Sequence, residues 1–538
     1  MTGRTTALAE RQASALDRSA PPGGAAADRA SAGAAARGGS GVARVATGTG
    51  AVLFASAVVL LVRVTLGGPV AAVMEAPGGG AVFGFVVDRL AAVVLVLVTG
   101  IALMVQVFAV RYLRGDPRAG RFFAGSLALT AATVGVATAA TLTGLVVAWL
   151  LASVSVCVLL AHRDDLAEGR EGVRRAVRAF VVGDLALVGA AVLVVATVGD
   201  LDLRGVTSDR LADARLEPVA GLAVPVVPVV AVLVVVAALA RSAQLPLPHW
   251  LPATLAAPTP VSALLHAGVV NAGGLLLIRL SPLLGEVRLA THLAFAAGAA
   301  TAVAGSAAMV VRPDVKGALA QSTVAQMGFM VMQCSLGAFG AAAFHLVGHA
   351  LYKAALFLGS GSAISHRHDH RWHGDGAPVR SARRKVPQAA LAVALPVGAV
   401  AAVAALADPP ILSHRGGWLV AGFAVITGAH ATWAWLGRGR ILRRSVAAAA
   451  GLVVLSAAYL TAVSAFEVFL AAALVEPGPA FVDLGWAAAL AFGVGAGVLA
   501  VVASPWASLH ARLWVKVMAF AQVHPGGVSG RRARSAAR

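Results

Sequence analysis

Apolar runs of roughly bilayer length recur along almost the whole chain of 538 residues, beginning near Val52. A helix that crosses a bilayer needs about 20 apolar residues, and the mean hydropathy of +0.83 shows that such residues dominate. Only 12% of the residues are charged, about half of the ~25% typical of soluble proteins. Counted at this length, the runs predict about fourteen membrane-spanning helices. We therefore expect an all-α polytopic membrane protein and not the short alternating strands of an outer-membrane barrel.

The positive charge of the chain lies in short segments between the apolar runs. The formal net charge is +19, which by itself would suggest a nucleic-acid partner. With about fourteen spans, however, the positive clusters all fall on the side of the amino terminus, as the excess of Lys and Arg in cytoplasmic loops requires. We therefore expect the lipid bilayer as partner and no nucleic acid. The protein is predicted to be a multi-pass protein of the bacterial cell (inner) membrane, with both termini cytoplasmic.

The sequence divides into three segments by composition. Residues 1–42 are rich in Ala, Gly, Arg and Ser and have no apolar periodicity, so they are predicted to be disordered. Residues 43–520 contain all the apolar runs and form the predicted membrane domain. Residues 521–538 are a basic tail, predicted to be cytoplasmic.

Cysteines and nucleotide-binding motifs are too few to build a redox or metal centre. The two cysteines, Cys157 and Cys334, are far apart and lie in different apolar runs. They cannot supply a disulfide framework, a structural zinc site or an iron–sulfur cluster. The sequence also contains neither a GxGxxG after a strand nor a P-loop. We therefore expect no cofactor in this chain and no enzyme activity of its own.

One apolar run continues into a proline-rich segment that begins at Arg241. Pro246, Pro248 and Pro252 follow closely, and each removes a backbone donor and breaks the helix. Broken helices at membrane depth line cavities and form the ion sites of transporters. A second break is predicted at residues 408–410, where an aspartate precedes two prolines. Paired breaks are typical of transporters built from inverted repeats.

Three ionisable side chains share one face of a single predicted membrane helix. His345, His349 and Lys353 are spaced by four residues in an otherwise apolar run. Only four of the 43 basic residues are lysines, and a buried lysine can lose its proton whereas an arginine cannot. Histidine titrates near neutral pH. The stripe therefore predicts a proton or ion relay; a metal site, for which no third ligand lies on the same turn, is the alternative.

Three long motifs, in the same order along the chain, carry a family resemblance. They are RSAQLPLPHWLPATLAAPTPVSALLHAG (241–268), DVKGALAQSTVAQMGFM (314–330) and FHLVGHALYKAALFLGSGSAI (344–364). They resemble the antiporter-like subunits of respiratory complex I and of Mrp-type sodium/proton antiporters, and the best-matched core covers residues 80–365. Within that superfamily, HAGVVNAGGLLLIRLSPLL (266–284) is similar to the DabB family, the membrane subunit of the DAB-type inorganic carbon pump.

The resemblance implies a function and a partner. A DabB-like subunit would couple a proton or sodium gradient to a zinc-containing DabA-like partner that resembles a carbonic anhydrase and hydrates CO2 to bicarbonate. A second interpretation is a proton- or sodium-translocating subunit of NADH:quinone oxidoreductase or of an Mrp-type antiporter. A third is a scaffold that conducts no ions and only anchors a partner.

The resemblance also adds site residues and marks departures. It implies that His266 and Lys316 lie on the ion path; the alternatives are a packing histidine and a cytoplasmic anchor. Arg241 stands where the family usually has lysine, so it could only set the local potential or hold an acid partner. Leu150 follows a tryptophan where a glutamate is usual, and Ala405 falls where a late lysine is usual.

Three acids and one histidine-rich segment complete the candidates. Asp88 and Asp184 are intramembrane or rim acids that could equally end helices. Glu467 lies in an apolar run, where a carboxylate must be protonated or paired. Residues 366–373 contain four histidines; we expect a solvated basic loop, with a metal site as the alternative. No metal is therefore expected in the chain.

Overall fold

The computed structural model describes residues 24–75, 81–199, 203, 211, 214–219, 222–361, 385–407, 409, 412, 417–436, 441–475, 478, 481, 493 and 515–521. Most of these residues are helical, as the apolar runs predict. The histidine-rich segment 366–373 and the last predicted span, centred near Val494, lie outside the described residues.

The first five helices precede the proline-rich segment. They are α1 (Gly24–Gly67), α2 (Arg89–Tyr112), α3 (Ala119–Thr138), α4 (Leu142–Leu160) and α5 (Ala167–Val198). Helix α1 starts inside the 1–42 segment for which no structure is expected, in an alanine-rich stretch with high helix propensity. Asp88 caps α2 by accepting a hydrogen bond from the Ala91 N–H at 2.8 Å.

Two β-hairpins interrupt the helical order, and the all-α expectation missed both. Antiparallel strands β1 (Val70–Glu75) and β2 (Ala81–Val87) form the first, between α1 and α2. Strands β3 (Arg215–Val219) and β4 (Leu222–Pro225) form the second, between α5 and the next helix. Both hairpins are only a few residues long and lie in connections between apolar runs, where a period-two pattern is too short to read.

The proline-rich segment breaks the chain as predicted. Helix α6 (Val226–Arg241) ends at Arg241, and two 3-10 turns, Pro248–Trp250 and Pro252–Ala256, follow. The Trp250 indole N–H donates to the Ala240 carbonyl at 3.0 Å, which ties the first 3-10 turn to the end of α6. The first predicted break is therefore confirmed.

The next predicted span is also broken, although the sequence predicted no break there. Helix α7 (Thr259–Ala267) ends just before Gly268, a 3-10 turn covers Val269–Asn271, and α8 (Ala272–Arg279) continues the path. A Cβ at Gly268 would lie 2.8 Å from the Leu264 carbonyl oxygen. His266 therefore lies one turn from an irregular segment of backbone.

The remaining helices complete the described membrane domain. They are α9 (Ser281–Leu284), α10 (Arg288–Val311), α11 (Val315–Ser335), α12 (Phe339–Leu358), α13 (Lys385–Ala407), α14 (Gly417–Leu436) and α15 (Ile441–Leu470). Helix α13 ends directly before the second predicted break, of which residues 408 and 410 lie outside the described part.

The number of spans is smaller than the prediction within the described residues. Ten helices there are long and apolar enough to cross a membrane, and α6 is a shorter apolar helix. The figure of about fourteen is not confirmed and stays a prediction. One large buried cluster unites α2 to α8 with α11 and α12, so the two broken helices lie in the core of the protein.

Candidate functional site

Helices α11 and α12 form an antiparallel pair joined by a short turn, Leu336–Ala338. The predicted stripe on α12 faces α11, and each of its three members meets a polar side chain there. His345 Nδ1 lies 3.0 Å from Gln333 Oε1, and His349 Nδ1 lies 2.8 Å from Gln326 Oε1. The Lys353 ammonium donates to the Ser322 hydroxyl. The stripe thus lies inside the protein, against neutral hydrogen-bonding groups.

A second set of contacts attaches His266, on α7, to the same pair of helices. His349 Nε2 lies 3.1 Å from the His266 carbonyl oxygen. His266 Nδ1 lies 3.1 Å from Thr323 Oγ1, and the Thr323 hydroxyl donates to the Leu319 carbonyl at 3.0 Å. The same carbonyl accepts from Lys353 Nζ at 3.0 Å. The lysine and His266 are therefore linked through one hydroxyl and one main-chain oxygen.

We call this connected set the polar seam; its members are His266, Ser322, Thr323, Gln326, Gln333, His345, His349 and Lys353. Along α11 it extends from Ser322 to Gln333, about 17 Å at the helix rise of 1.5 Å per residue. That is about half of the ~30 Å hydrocarbon core of a bilayer. His266 and Lys353 are completely buried. The seam is therefore a buried line of exchangeable nitrogen and oxygen atoms along the helix axis.

Arg241 lies in a separate buried site that we call the ion-pair cluster, made of Arg241, Asp184, Ser153, Trp149 and Phe180. Arg241 Nη2 is 3.2 Å from Asp184 Oδ1 and 2.6 Å from Ser153 Oγ. The guanidinium carbon lies 4.3 Å from the Trp149 ring centroid and 4.8 Å from that of Phe180, within cation–π range. Of the two roles left open for Arg241, the geometry is that of an arginine holding an acid partner.

The acid of this cluster comes from a different helix than the resemblance implies. Leu150 on α4 is 36% exposed, whereas the preceding Trp149 is buried, so a glutamate at position 150 would point away from Arg241. Asp184 on α5 reaches the arginine instead. Gly183 permits this approach, because a Cβ there would lie 2.8 Å from the Ala240 Cβ.

The broken segment connects the ion-pair cluster to the polar seam. Just after Arg241, the Ser242 hydroxyl donates to the Val270 carbonyl at 2.8 Å. The Gln244 amide nitrogen donates to the Ser242 carbonyl at 2.7 Å and to the Val324 carbonyl at 3.4 Å. Val324 is the neighbour of Thr323 on α11. The irregular backbone after α6 is thus held by polar contacts both to the 3-10 turn between α7 and α8 and to α11.

Lys316 is not joined to the seam. It is the second residue of α11 and is partly buried, next to Asp314, which caps the helix through the Gly317 N–H at 2.6 Å. Among the described residues, no hydrogen bond or ion pair connects Lys316 to another candidate. It precedes Leu319 by three residues, about 4.5 Å along the axis, so it lies at the end of the seam and not within it.

The remaining acids lie elsewhere. Asp88 caps α2 and pairs with Arg279, whose Nη2 is 2.8 Å from Asp88 Oδ1; it is a helix-end residue. The Glu467 side chain, on α15, packs across Gly340 at the beginning of α12, where a Cβ would lie 2.6 Å from its Cγ. Glu467 therefore approaches the helix that carries the stripe, but five residues before His345.

The sequence did not predict four members of the seam: Ser322, Thr323, Gln326 and Gln333. They are neutral, so they lack the charge that marks an ion path in an apolar helix. A usable signal was present, because Ser322, Gln326 and Gln333 recur at i, i+4 and i+11 and so share one helical face. No group of three or more His, Cys, Asp or Glu that could hold a metal occurs among the residues that the structure describes.

The fold and the site together define a class of protein. It is a multi-pass helical membrane protein with broken helices in its core and a line of buried titratable groups beside them.

Two family models match the chain. "NADH:quinone oxidoreductase/Mrp antiporter, TM" covers residues 139–436, more than half of the chain. "NADH-Ubiquinone oxidoreductase (complex I), chain 5 N-terminus" covers residues 77–123. The chain belongs to this complex I and Mrp antiporter-like membrane family.

Several curated relatives share the central part of the chain. A "Probable inorganic carbon transporter subunit DabB1" of Halothiobacillus neapolitanus is 39% identical over 292 residues, 54% of this chain and 51% of the relative. A "Probable inorganic carbon transporter subunit DabB" of Bacillus subtilis is 34% identical over 52% of this chain and 54% of the relative. "NAD(P)H-quinone oxidoreductase chain 5" of a Synechocystis strain is 32% identical over 52% of this chain and 41% of the relative. The chain thus spans about half the length of the curated relatives it matches.

Solved structures agree on the fold. A chain of the Mrp complex from Dietzia sp. DQ12-45-1b is 26% identical with a TM-score of 0.53, and the match covers 94% of this chain and 58% of that chain. A chain of the membrane-bound sulfane sulfur reductase, an archaeal respiratory membrane complex, is 17% identical with a TM-score of 0.54 and coverages of 90% and 96%. The relatives are parts of membrane complexes.

Proposed function

We propose that this chain is the membrane subunit of an energy-coupled inorganic carbon pump, in which the polar seam carries protons or another cation. The partner would be a zinc-containing DabA-like subunit, and the pump would lie in the bacterial cell membrane with both termini of this chain cytoplasmic. The observation that carries the proposal is the seam itself, found in a chain that is 39% identical over 292 residues to a named inorganic carbon transporter subunit.

The chemistry of the seam supports charge transfer. Its three histidines and Lys353 can each bind and release a proton, and their partners on α11 are neutral groups that both donate and accept. Lys353 makes both of its hydrogen bonds to oxygens of α11, one turn from His349 along α12. Hydrogen bonds link Lys353 through Leu319 and Thr323 to His266, and the His266 carbonyl contacts His349; the His345 ring centroid lies 6.0 Å from that of His349.

A second candidate is a proton- or sodium-translocating subunit of an NADH:quinone oxidoreductase or an Mrp-type antiporter. It is favoured by the 32% identity to the quinone oxidoreductase chain 5 and by the likeness to the Mrp complex. The two candidates predict different partners. A copurifying protein with Cys, His and Asp zinc ligands supports the carbon pump, whereas a set of quinone-reductase subunits supports the alternative.

The test is uptake of labelled CO2 and bicarbonate in cells that lack carbonic anhydrase, with and without this chain and its partner. We expect uptake only when both are present. Lys353→Ala should then reduce uptake by about a hundredfold, the lower end of what a positioned proton donor contributes. Lys516→Ala is the matched control, because Lys516 is an exposed lysine of the same chain, and it should leave uptake unchanged.

Two results would contradict the proposal. Uptake that is unaffected by Lys353→Ala, with the complex assembled, removes the relay and leaves the scaffold interpretation. Uptake that never depends on the chain, together with copurified quinone-reductase subunits, replaces the carbon pump by the second candidate.

A further inference from the structure

Both ring nitrogens of His349 face oxygen atoms. Nε2 lies 3.1 Å from the His266 carbonyl oxygen, and Nδ1 lies 2.8 Å from Gln326 Oε1. A carbonyl oxygen only accepts, so a ring that bonds to two of them must donate from both nitrogens. Only the doubly protonated, positively charged imidazole ring can do this. With its oxygen turned toward the ring, the Gln326 amide therefore suits the charged form of His349.

A neutral His349 requires one of these two partners to change. The carbonyl of His266 belongs to the main chain at the end of α7 and cannot turn, so the single hydrogen of a neutral ring must remain on Nε2. Nδ1 then becomes an acceptor and needs a donor. The Gln326 side-chain amide can supply one by turning 180° about its last bond, which exchanges its oxygen for its nitrogen with almost no change in shape.

The contacts of Gln326 allow that rotation. Within the described part of the chain, Gln326 hydrogen-bonds only to His349, so turning the amide breaks no other bond. The residue is also only partly buried, unlike Gln333, which is 2% exposed beside His345. Gln326 therefore has two orientations of almost the same shape. One satisfies the charged form of His349 and the other satisfies the neutral form.

We propose that Gln326 is a rotating amide that stabilises both protonation states of His349, presenting its oxygen to the charged ring and its nitrogen to the neutral ring. The hydrogen that distinguishes the two states is the one on Nδ1, while the Nε2–H stays bonded to the His266 carbonyl. Gln326 exchanges no proton itself. This inference rests on the proposed relay function and adds to it a residue that neither charge nor spacing had marked.

The titratable groups around His349 are few. On α12 they are His345 and Lys353, and on α7 the neighbour is His266. Helix α11 contributes only neutral seam side chains, and the nearest ionisable groups on α15 are Glu467 and Tyr459, which contact Gly340 and Phe344. A change at position 326 therefore acts on His349 directly and not through an acid of a neighbouring helix.

The direct test is a pH titration by NMR of the purified full-length complex with 15N-labelled histidine and glutamine side chains. We expect the Gln326 side-chain amide signals to change with the same midpoint as the His349 ring signals. The neutral His349 ring should carry its hydrogen on Nε2. A Gln326 amide that does not respond when the ring titrates, or a neutral ring protonated on Nδ1, would overturn the proposal.

Two substitutions sharpen the test by removing one orientation each. Gln326→Glu keeps only acceptor oxygens and favours the charged ring, so the pH at which uptake is half-maximal should move upward by about one to three units. Gln326→Leu removes both groups and should move it downward. Gln321→Glu is the matched control: it lies on the same helix about 140° around the axis, and it should move the profile in neither direction. Equal shifts in Gln321→Glu and Gln326→Glu would overturn the proposal.

The two readouts separate this inference from the proposed function. The NMR titration needs neither gradient nor substrate. If Lys353→Ala leaves uptake intact, the carbon pump proposal fails, whereas the coupling of Gln326 to His349 still stands or falls by the titration alone. If uptake depends on Lys353 while the Gln326 amide never turns, only the rotating amide is wrong.

Discussion

The ion-pair cluster and the polar seam both bury positive charge in the membrane domain, but they hold it in opposite ways. Arg241 faces the carboxylate of Asp184 at 3.2 Å and is enclosed by two aromatic rings. Lys353 faces a hydroxyl and a main-chain carbonyl. Arginine keeps its proton under all ordinary conditions, whereas a lysine with neutral partners can give it up. The first site is suited to holding charge, and the second is the site for which we propose proton movement.

The contrast accounts for a departure from the family pattern. Where the family resemblance implies a lysine paired with a glutamate, this chain has an arginine paired with an aspartate from the next helix. An immobile pair of this kind fixes α4, α5 and α6 relative to one another. We therefore assign a positioning role to this site and reserve proton movement for the seam. Three predictions test that division and one concerns a loop outside both sites; they are ordered by their expected effect on stability.

The largest effect is expected from breaking the ion pair. Asp184→Leu leaves the Arg241 guanidinium buried without its counter-charge, which should lower the free energy of unfolding by about 3–5 kcal/mol. The thermal midpoint of the purified protein measures this. Replacing both residues, as Asp184→Leu with Arg241→Met, should recover most of the loss, because no unpaired charge is then buried. A double variant as unstable as the single one would show that the pair is not what Asp184 contributes.

A smaller loss is expected inside the seam. Thr323→Val removes the oxygen that accepts from His266 Nδ1 and leaves a buried donor unsatisfied, at a cost of about 1–3 kcal/mol. Thr130→Val is the control, since the Thr130 hydroxyl bonds only to a carbonyl of its own helix, and should cost less. The thermal midpoints of the two variants measure this. Equal losses of stability in Thr323→Val and Thr130→Val would mean that the contact with His266 adds no stability.

A third effect is pH-dependent and lies outside the membrane spans. Although partial burial acts to raise it, hydrogen bonds with His162 and the Arg118 N–H hold the pKa of Asp116 below its ordinary value of 3.8. The carboxylate therefore stabilises the fold above pH 3.8, and this contribution is lost as the pH falls through the lowered pKa. Asp116→Asn should cost up to ~1 kcal/mol at neutral pH. The difference in thermal midpoint between wild type and variant should shrink as the pH falls through the lowered pKa of Asp116; a constant difference at all pH values contradicts the prediction.

The smallest effect on stability, together with the largest effect on transport, is expected from replacing Lys353. Lys353→Met leaves no unsatisfied partner, because the Ser322 hydroxyl already donates to the Leu319 carbonyl at 2.9 Å, and replacing a buried charge by an apolar group of similar size is often neutral. The free energy of unfolding, followed through the thermal midpoint, should change by no more than ~1 kcal/mol. Labelled carbon uptake, in contrast, should be lost. A destabilisation as large as that of Asp184→Leu would erase the distinction between the two sites.

Charged residues in apolar helices could be predicted from the sequence, and their partners could not. The stripe of His345, His349 and Lys353 follows from helical spacing, and the break after Arg241 follows from three prolines. The break at Gly268 has no proline to mark it, because it depends on how α7 packs in the core. Asp184 and Arg241 are 57 residues apart, and only the packing of α5 against α6 brings them together. Gln326 is neutral, so its role depends on the ring that faces it.

The carbonyl of Leu319 has a consequence for genetics. It is the atom at which the Thr323 hydroxyl and the Lys353 ammonium meet, yet no side chain carries it, so any residue that keeps the helix intact preserves it. A scan of substitutions across α11 should therefore find position 319 tolerant of change between sensitive neighbours. The lysine end of the seam would look dispensable at this position in such a scan, although the Leu319 carbonyl contacts both Thr323 and Lys353.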